Sequence, residues 1–248
     1  MKTLLPALVL CLLIVALGCK SGGGGGGIPP APPNNPWQAR YNDRLLGPVT
    51  PEQLLREVNL KVDLIPAGRV GRTWYRKMTP EYVTIHSTQN RTGNAYNHAL
   101  ALKRGALRAT RRPGGNRIGY LTWHFTVQDD VAIQHLPCRE QGEHADFDGP
   151  GNNKSIGIEM CEHIGNDLAL TIDKTARLTA YLCYVYRISP RNVMGHYHWP
   201  RRGVNPPNKN CPHFLLDNGV PGRNWEWFKG RVRLHFNRIQ PGPARSLG

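Results

Sequence analysis

The residue types that could carry chemistry gather in one stretch of this 248-residue chain, GHYHWPRRGVNPPNKNCPHF, spanning 195–214. It holds His196, His198, His213, Lys209 and Cys211, and two further candidates stand far from it in sequence, His86 and Glu159. A catalytic zinc takes three protein ligands from histidine, cysteine or carboxylate and keeps a fourth position open. His196 and Cys211 can join His86 in such a set if the Pro-rich loop between them folds back. Lys209, two residues before Cys211, would then stand near the open position, where an ammonium stabilises a developing oxyanion. A glutamate beside such a site is what general-base hydrolysis needs, and Glu159 sits among small and apolar residues where an idle carboxylate is costly. The same residues also read as a cysteine hydrolase, with Cys211 as nucleophile and His196 or His213 as base. Glu159 could equally pair with one of the many arginines. Residue types and spacing alone leave these readings open.

The elements that must position these groups are visible as patterns. EYVTIHST alternates Val83 and Ile85 against Tyr82, Thr84 and His86, which predicts a strand ending at His86. SIGIEMC predicts a central strand carrying Glu159. YLTWHFTVQDDVAIQHLP reads as a hairpin, with β-prone runs at 120–127 and 131–135 around a QDD turn. TPEQLLREV predicts a helix with Pro51 in its first turn and a capping box between Thr50 and Gln53. GNAYNHALALKRGALRAT predicts another helix, interrupted at Gly105. DKTARLTAYLCYVYRI puts Leu178, Leu182, Val185 and Ile188 on one face, with Asp173 at the cap position. NWEWFKGRVRLHFNRI carries a second stripe, Trp225, Phe228, Val232, Phe236 and Ile239. Strands alternating with helices around one hairpin imply an α/β fold, a mixed central β-sheet flanked by helices in a single catalytic domain.

Composition narrows the partners. The net charge is +15, from 32 Lys+Arg against 17 Asp+Glu, so a polyanion is expected: nucleic acid, an anionic membrane surface or a charged wall polymer. The amino-terminal MKTLLPALVLCLLIVALGC has Lys2 and a short apolar run, the build of an export signal, and is too short for a comfortable membrane span. Its Val15-Ala16-Leu17-Gly18-Cys19 ending resembles a bacterial lipobox, which would make Cys19 a lipid anchor. A six-glycine run and IPPAPPNNP follow, a flexible tether and then a stiffer spacer. The expected organisation is a lipoprotein-type signal peptide at 1–18, a tether at 19–36, an N-terminal extension at 37–64, the catalytic domain at 65–240 and a tail at 241–248. The protein is expected to be exported, lipid-anchored to a bacterial membrane facing the periplasm or wall, monomeric, and without nucleic acid as partner. Export also leaves Cys138, Cys161, Cys183 and Cys211 in an oxidising place, with three possible full pairings, or one odd thiol if Cys211 has another task.

Four runs together carry a resemblance: VDLIPAGRVGRTWYRKMTPEYVTIHST, TWHFTVQDDVAIQHLP, GEHADFDGPGNNKSIGIEMCEH and VMGHYHWPRRGVNPPNKNCPHFLL. They resemble, in order and over about residues 62–240, the zinc-dependent N-acetylmuramoyl-L-alanine amidases of the type 2 amidase and peptidoglycan recognition protein superfamily. The resemblance implies Zn2+ on His86, His196 and Cys211, Glu159 as general base, and Lys209 polarising the scissile carbonyl. It implies a substrate groove with Trp123, His124, His144 and Asn153, and peptidoglycan or muropeptides as substrate. The reaction implied is hydrolysis of the amide joining N-acetylmuramic acid to L-alanine of the stem peptide; relatives that lost a zinc ligand imply the alternative of a non-catalytic peptidoglycan-binding module. The chain departs from the family pattern at His198, where Asp is frequent, at Asp146, where Gly is usual, and in a longer loop between Trp199 and Lys209.

Overall fold

The structure, a computed structural model, describes residues 35–109 and 118–248. The signal peptide, Cys19 and nearly all of the expected tether lie outside the described residues. Helix α1 (Pro51–Val58) starts at Thr50, whose hydroxyl accepts from the Gln53 N–H while the Gln53 side chain answers the Thr50 N–H, and it ends at Asn59 in the left-handed region. β1 (Leu60–Val62) follows at once, then β2 (Tyr82–Ser87) and α2 (Ala95–Arg104), which stops at left-handed Gly105. β3 (Phe125–Val127) and β4 (Ala132–Gln134) form the expected antiparallel hairpin. A single turn, α3 (Pro150–Asn153), precedes β5 (Ser155–Met160). Then come α4 (Leu168–Tyr186), β6 (Val193–Gly195), the small hairpin β7 (Leu216–Asp217) and β8 (Val220–Pro221), and α5 (Arg223–Asn237).

The six-stranded sheet runs β1-β4-β3-β5-β2-β6, with every neighbour pair parallel except β3 and β4. This is the mixed sheet flanked by helices that the patterning predicts. Its two faces differ by the period-2 rule. Val83 and Ile85 of β2, Phe125 and Val127 of β3, and Ile156, Ile158 and Met160 of β5 enter the main core, which α1, α4 and α5 cover with Leu54, Tyr181 and Phe228 among others. The alternate residues, Thr84, His86, Thr126, Gly157 and Glu159, therefore share the opposite face. α2 packs against β3 and β4. The core beneath the site is one continuous apolar cluster, and each fully buried leucine, isoleucine or phenylalanine contributes about 1.5–3 kcal/mol toward holding the strand register.

Three expected boundaries move. α1 and β1 belong to the domain: β1 pairs with β4 through Lys61 opposite Ile133, and Leu54 and Val58 are fully buried, so the segment 37–64 completes the sheet and core instead of extending from them. Even Trp37 and Tyr41 stack on Trp227 of α5. The tail is also bound, with Leu247 buried and its carbonyl accepting from Gln134 Nε2 at 2.6 Å and from the Cys138 N–H at 3.1 Å. Asp173 is not a cap. α4 begins earlier, capped by Asp167, whose side chain accepts from the Leu170 N–H, because LALTI continues the apolar face backward. Asp173 lies inside the helix and inside the protein, bonded to Arg177 Nε at 2.8 Å, Arg231 Nε at 3.1 Å and His235 Nε2 at 2.9 Å. Cys138, Cys161, Cys183 and Cys211 are all buried free thiols, so none of the three pairings is formed.

Candidate active site

Parallel pairing builds the site. β2 and β5 are in register with His86 directly beside Glu159, and β6 runs along β2 with Gly195 opposite Ile85, delivering His196 one residue beyond the strand. The groups thus collect at the carboxyl ends of three adjacent parallel strands, where α/β sheets place their ligands. Cys211 arrives from the long loop, and the Tyr197 N–H bonds the Cys211 carbonyl at 2.9 Å, closing the loop back onto the strand end. The fold-back that the spacing required is present.

His86 Nδ1 and His196 Nδ1 lie 3.0 Å apart, Cys211 Sγ is 3.9 Å from His86 Nδ1, and the three donor atoms fall within 4.8 Å of one another. A tetrahedral ion with metal–nitrogen bonds of about 2.0–2.1 Å and a metal–sulfur bond of about 2.3 Å spaces its donors at about 3.3–3.6 Å; the triad fits in donor type, and its 3.0 and 3.9 Å separations bracket that spacing. Burial and the nearby charges of His196, His144 and Lys209 hold His86 well below the ordinary imidazole range. Burial, then Lys209 and Arg201, bring His196 down to about 3. Both rings are therefore neutral and present lone pairs. Glu159 Oε1 is 3.8 Å from His86 Nδ1, and Glu159 Oε2 is buried with no hydrogen-bond partner. Burial pushes its carboxyl up to about 7 against the pull of Lys209. A carboxylate oxygen left unbonded beside a ligand triad is suited to taking a proton from water.

The cysteine-hydrolase arrangement is not formed. Burial and the Glu159 charge push the Cys211 thiol up to about 12, far from the reactive thiolate range, and Sγ accepts from the Ser87 N–H at 3.3 Å. His213 turns away to Ser87 Oγ at 3.1 Å and Glu162 at 3.3 Å.

An open cleft of about 270 Å3 lies over the triad, close to the lower end of the size range of small-ligand sites, with Glu159, His196 and Lys209 in its wall. Of the expected groove residues, Trp123 lines it, its Nε1 bonded to Thr126 Oγ1 at 2.8 Å. His144 reaches the cleft edge but has other partners: Nδ1 is 3.0 Å from His86 Nε2, and Nε2 is 3.3 Å from the Ser155 carbonyl. Gly157 makes room for this ring, since a Cβ there would stand 2.8 Å from it. His124 does not reach the cleft; it is fully buried, Nδ1 accepting from the Gly157 N–H at 3.0 Å and Nε2 facing the Glu140 carbonyl at 2.8 Å. Asn153 is exposed on α3 with its side chain on the Asp148 carbonyl, and its neighbour Asn152 faces the cleft instead. A one-residue step along a helical turn rotates the side chain by about 100°, which separates the two. Asn152 Oδ1 receives the His144 and Ala145 N–H groups, and Asp146 receives those of Gly151 and Asn152, so the residue in place of the usual Gly ties down this turn. His198, in place of Asp, accepts from the Gly195 N–H at 3.1 Å and steadies the turn that carries His196. Sequence reasoning missed Glu143, which pairs with Arg76, and Arg201, although both cations and acids stood in motifs already singled out.

The family profile described as N-acetylmuramoyl-L-alanine amidase matches residues 76–214, from just before β2 to just after Cys211. This chain belongs to the N-acetylmuramoyl-L-alanine amidase family. Among curated proteins it is 37% identical over 178 residues to the N-acetylmuramoyl-L-alanine amidase XlyA of Bacillus subtilis, covering 71% of this chain and 51% of that protein. It is 35% identical over 165 residues to the amidase CwlH of the same organism, covering 65% of this chain and 58% of that protein. The chain thus spans about half the length of the curated relatives it matches. The solved catalytic domain of XlyA superposes with a TM-score of 0.56 at 37% identity, covering 70% of this chain and 99% of that domain. A mutant endolysin from Bacillus subtilis does so with a TM-score of 0.57 at 35% identity, covering 70% and 98%. The amidase-family match spans the strands that carry His86 and Glu159 and the loop that carries Lys209 and Cys211.

Proposed function

We propose that this chain is a zinc-dependent N-acetylmuramoyl-L-alanine amidase that hydrolyses the amide between N-acetylmuramic acid and L-alanine of peptidoglycan stem peptides. The observation that carries the reading is the convergence of His86, His196 and Cys211 beside Glu159 and Lys209 in one cleft. His86, His196 and Cys211 would hold the ion through two imidazole nitrogens and one sulfur. Zinc in such a set acidifies water and polarises a carbonyl oxygen. Glu159 Oε2, buried and unbonded, receives the proton of the attacking water and returns it to the leaving amine. Lys209 Nζ offers an ammonium to the oxyanion as the carbonyl becomes tetrahedral. His144 holds the His86 ring from behind, and Trp123 gives the substrate an apolar wall. A non-catalytic binding module is disfavoured because all three candidate ligands and the base are retained together.

Export and attachment to a membrane through Cys19 belong to the same proposal, supported by the signal-like run at 1–18 and the Gly/Pro-rich spacer, and the net charge of +15 suits an anionic wall. Among the described residues no helix is long and apolar enough to cross a membrane. Metal analysis of the purified protein, with mass spectrometry of sacculi it has digested, tests the reading: about one zinc per chain and free stem peptides beginning with L-alanine are expected. A metal-free active protein, or intact stems after digestion, would overturn it.

A further inference from the structure

Arg201 is a cation of the cleft that the hydrolytic steps leave without work. It stands in the loop between Trp199 and Lys209. Its backbone N–H donates to the Pro207 carbonyl at 3.0 Å, its Nε to the same carbonyl at 3.3 Å, and its Nη2 to the Pro206 carbonyl at 3.2 Å. Asn208 Nδ2 ties the loop to the Tyr197 carbonyl at 2.7 Å, next to metal-ligand candidate His196. The guanidinium is thus held from behind by neutral backbone oxygens of its own loop, and it lines the cleft together with Glu159, His196 and Lys209. Nη1 has no hydrogen-bond partner and no carboxylate pairs with Arg201 or Lys209 among the described residues, whereas the acid Glu143 in the same wall is already matched by Arg76.

A pre-set arginine fork with a free edge, in a wall carrying a second free cation, is a receptor for a carboxylate. The substrate proposed above offers carboxylates only on its peptide: the second stem residue, a diamino-diacid third residue with its distal carboxyl, and the C-terminal residue can each be free acids or amides, and the lactyl carboxyl is already in the scissile amide. Arg201 lines the same cleft as Glu159 and Lys209, which makes the substrate itself, and not a distant wall polymer, the fitting partner. We infer that Arg201 is a specificity-determining residue that reads a free carboxylate on the stem peptide, so that amidation of that carboxylate weakens recognition. The inference rests on the amidase reading for its choice of ligand.

The test measures binding apart from cleavage. Zinc-loaded full chain carrying Glu159→Gln is titrated calorimetrically with four soluble muramoyl peptides that have a diamino diacid at the third position: one with all stem carboxylates free, and three amidated only at the second residue, only at the third-residue side chain, or only at the C-terminus. One of the three amidations is expected to raise Kd about tenfold to a hundredfold, the range of a lost charge-assisted hydrogen bond. With Arg201→Gln added, acid and amide ligands are expected to bind alike; with Arg201→Lys, part of the difference remains, and this variant keeps the test alive if the glutamine form melts early. Equal binding of all four ligands to the Arg201 protein, or an acid-over-amide preference that survives Arg201→Gln, would overturn the inference. Failure of the amidase reading shows separately, as no release of stem peptides by protein with Glu159 intact.

Discussion

His86 Nε2 stands 3.0 Å from His144 Nδ1, and that contact decides which nitrogen of His86 is free for a metal. His144 Nε2 faces the Ser155 carbonyl at 3.3 Å, which can only accept, so the His144 proton sits on Nε2 and its Nδ1 is an acceptor. His86 must therefore carry its proton on Nε2 and turn the Nδ1 lone pair toward His196 and Cys211. The histidine expected to touch substrate is the group that sets the tautomer of a ligand.

Replacing His144 removes that constraint without touching the triad. His144→Ala is expected to weaken zinc affinity by about 10- to 100-fold, as outer-shell partners of ligand histidines do. Competition with a chromophoric chelator measures it, and a circular dichroism spectrum equal to that of the parent shows that the fold persists. Wild-type zinc affinity in the variant would contradict the tautomer assignment.

Glu159→Gln keeps size and burial but cannot accept a proton. Its rate of stem-peptide release is expected to fall by about 100- to 10,000-fold while zinc content stays that of the parent. Near-normal turnover would remove Glu159 from the base role.

The free thiol of Cys211 is fully buried, and its neighbours suit it to a ligand rather than a nucleophile. Dialysis against a chelator is expected to abolish release of stem peptides, with zinc restoring it, and iodoacetamide on the zinc-loaded protein is expected to leave activity intact. The opposite pattern, killing by iodoacetamide and indifference to chelation, would point back to a cysteine hydrolase.

Asp173 gives the fold an acid-sensitive lock. Its bonds to His235, Arg231 and Arg177 outweigh burial and hold its carboxyl well below the usual carboxylate range. The unfolded chain then takes up this proton first, so the stabilisation is complete above a pH of about 4 and is lost as pH falls below it. Burial holds His235 below its ordinary value, so the unfolded chain also binds that proton first and stability begins to decline below a pH of about 6.5. Thermal melting is expected to drop between neutral and acid pH. Asp173→Asn is expected to cost about 3–5 kcal/mol at neutral pH, by leaving buried Arg231 with only the partly exposed Asp43 as its anion, and to flatten the acid limb. An unchanged pH profile in this variant would contradict the lock.

The early boundary of the domain is equally testable. A chain starting at residue 65 loses Leu54, Val58 and the β1 edge strand, whereas one starting at residue 35 keeps them. Only the longer form is expected to unfold cooperatively in denaturant; cooperative folding of the shorter one would restore a separable extension.

Much of this was legible in the sequence because local rules and tertiary structure agree. The alternation in EYVTIHST, the Thr50 capping box and the QDD hairpin all correspond to formed elements. What escaped has physical reasons. β1 is three residues long and half exposed, too short for periodicity to register, and its place in the sheet depends on a parallel partner seventy-two positions away, Leu60 opposite Ala132. Asp173 looked like a cap because nothing local reveals that Arg231 and His235 will meet it. Asn152 and Asn153 are identical in type, and only the rotation of about 100° between successive helical residues chooses between them. His124 stands in the groove motif, yet the Gly157 N–H and the Glu140 carbonyl draw its ring inward, whereas His144 keeps its place at the cleft edge.

The central claim is that this cleft hydrolyses the amide between muramic acid and L-alanine. Sacculi digested by the zinc-loaded protein in water enriched in oxygen-18, then read by mass spectrometry, test it most directly. The expected result is one heavy oxygen in the lactyl carboxyl of the glycan and an unlabelled stem peptide with a new L-alanine amino terminus. Label at glycan reducing ends, label at a peptide carboxyl, or no label at all would contradict it.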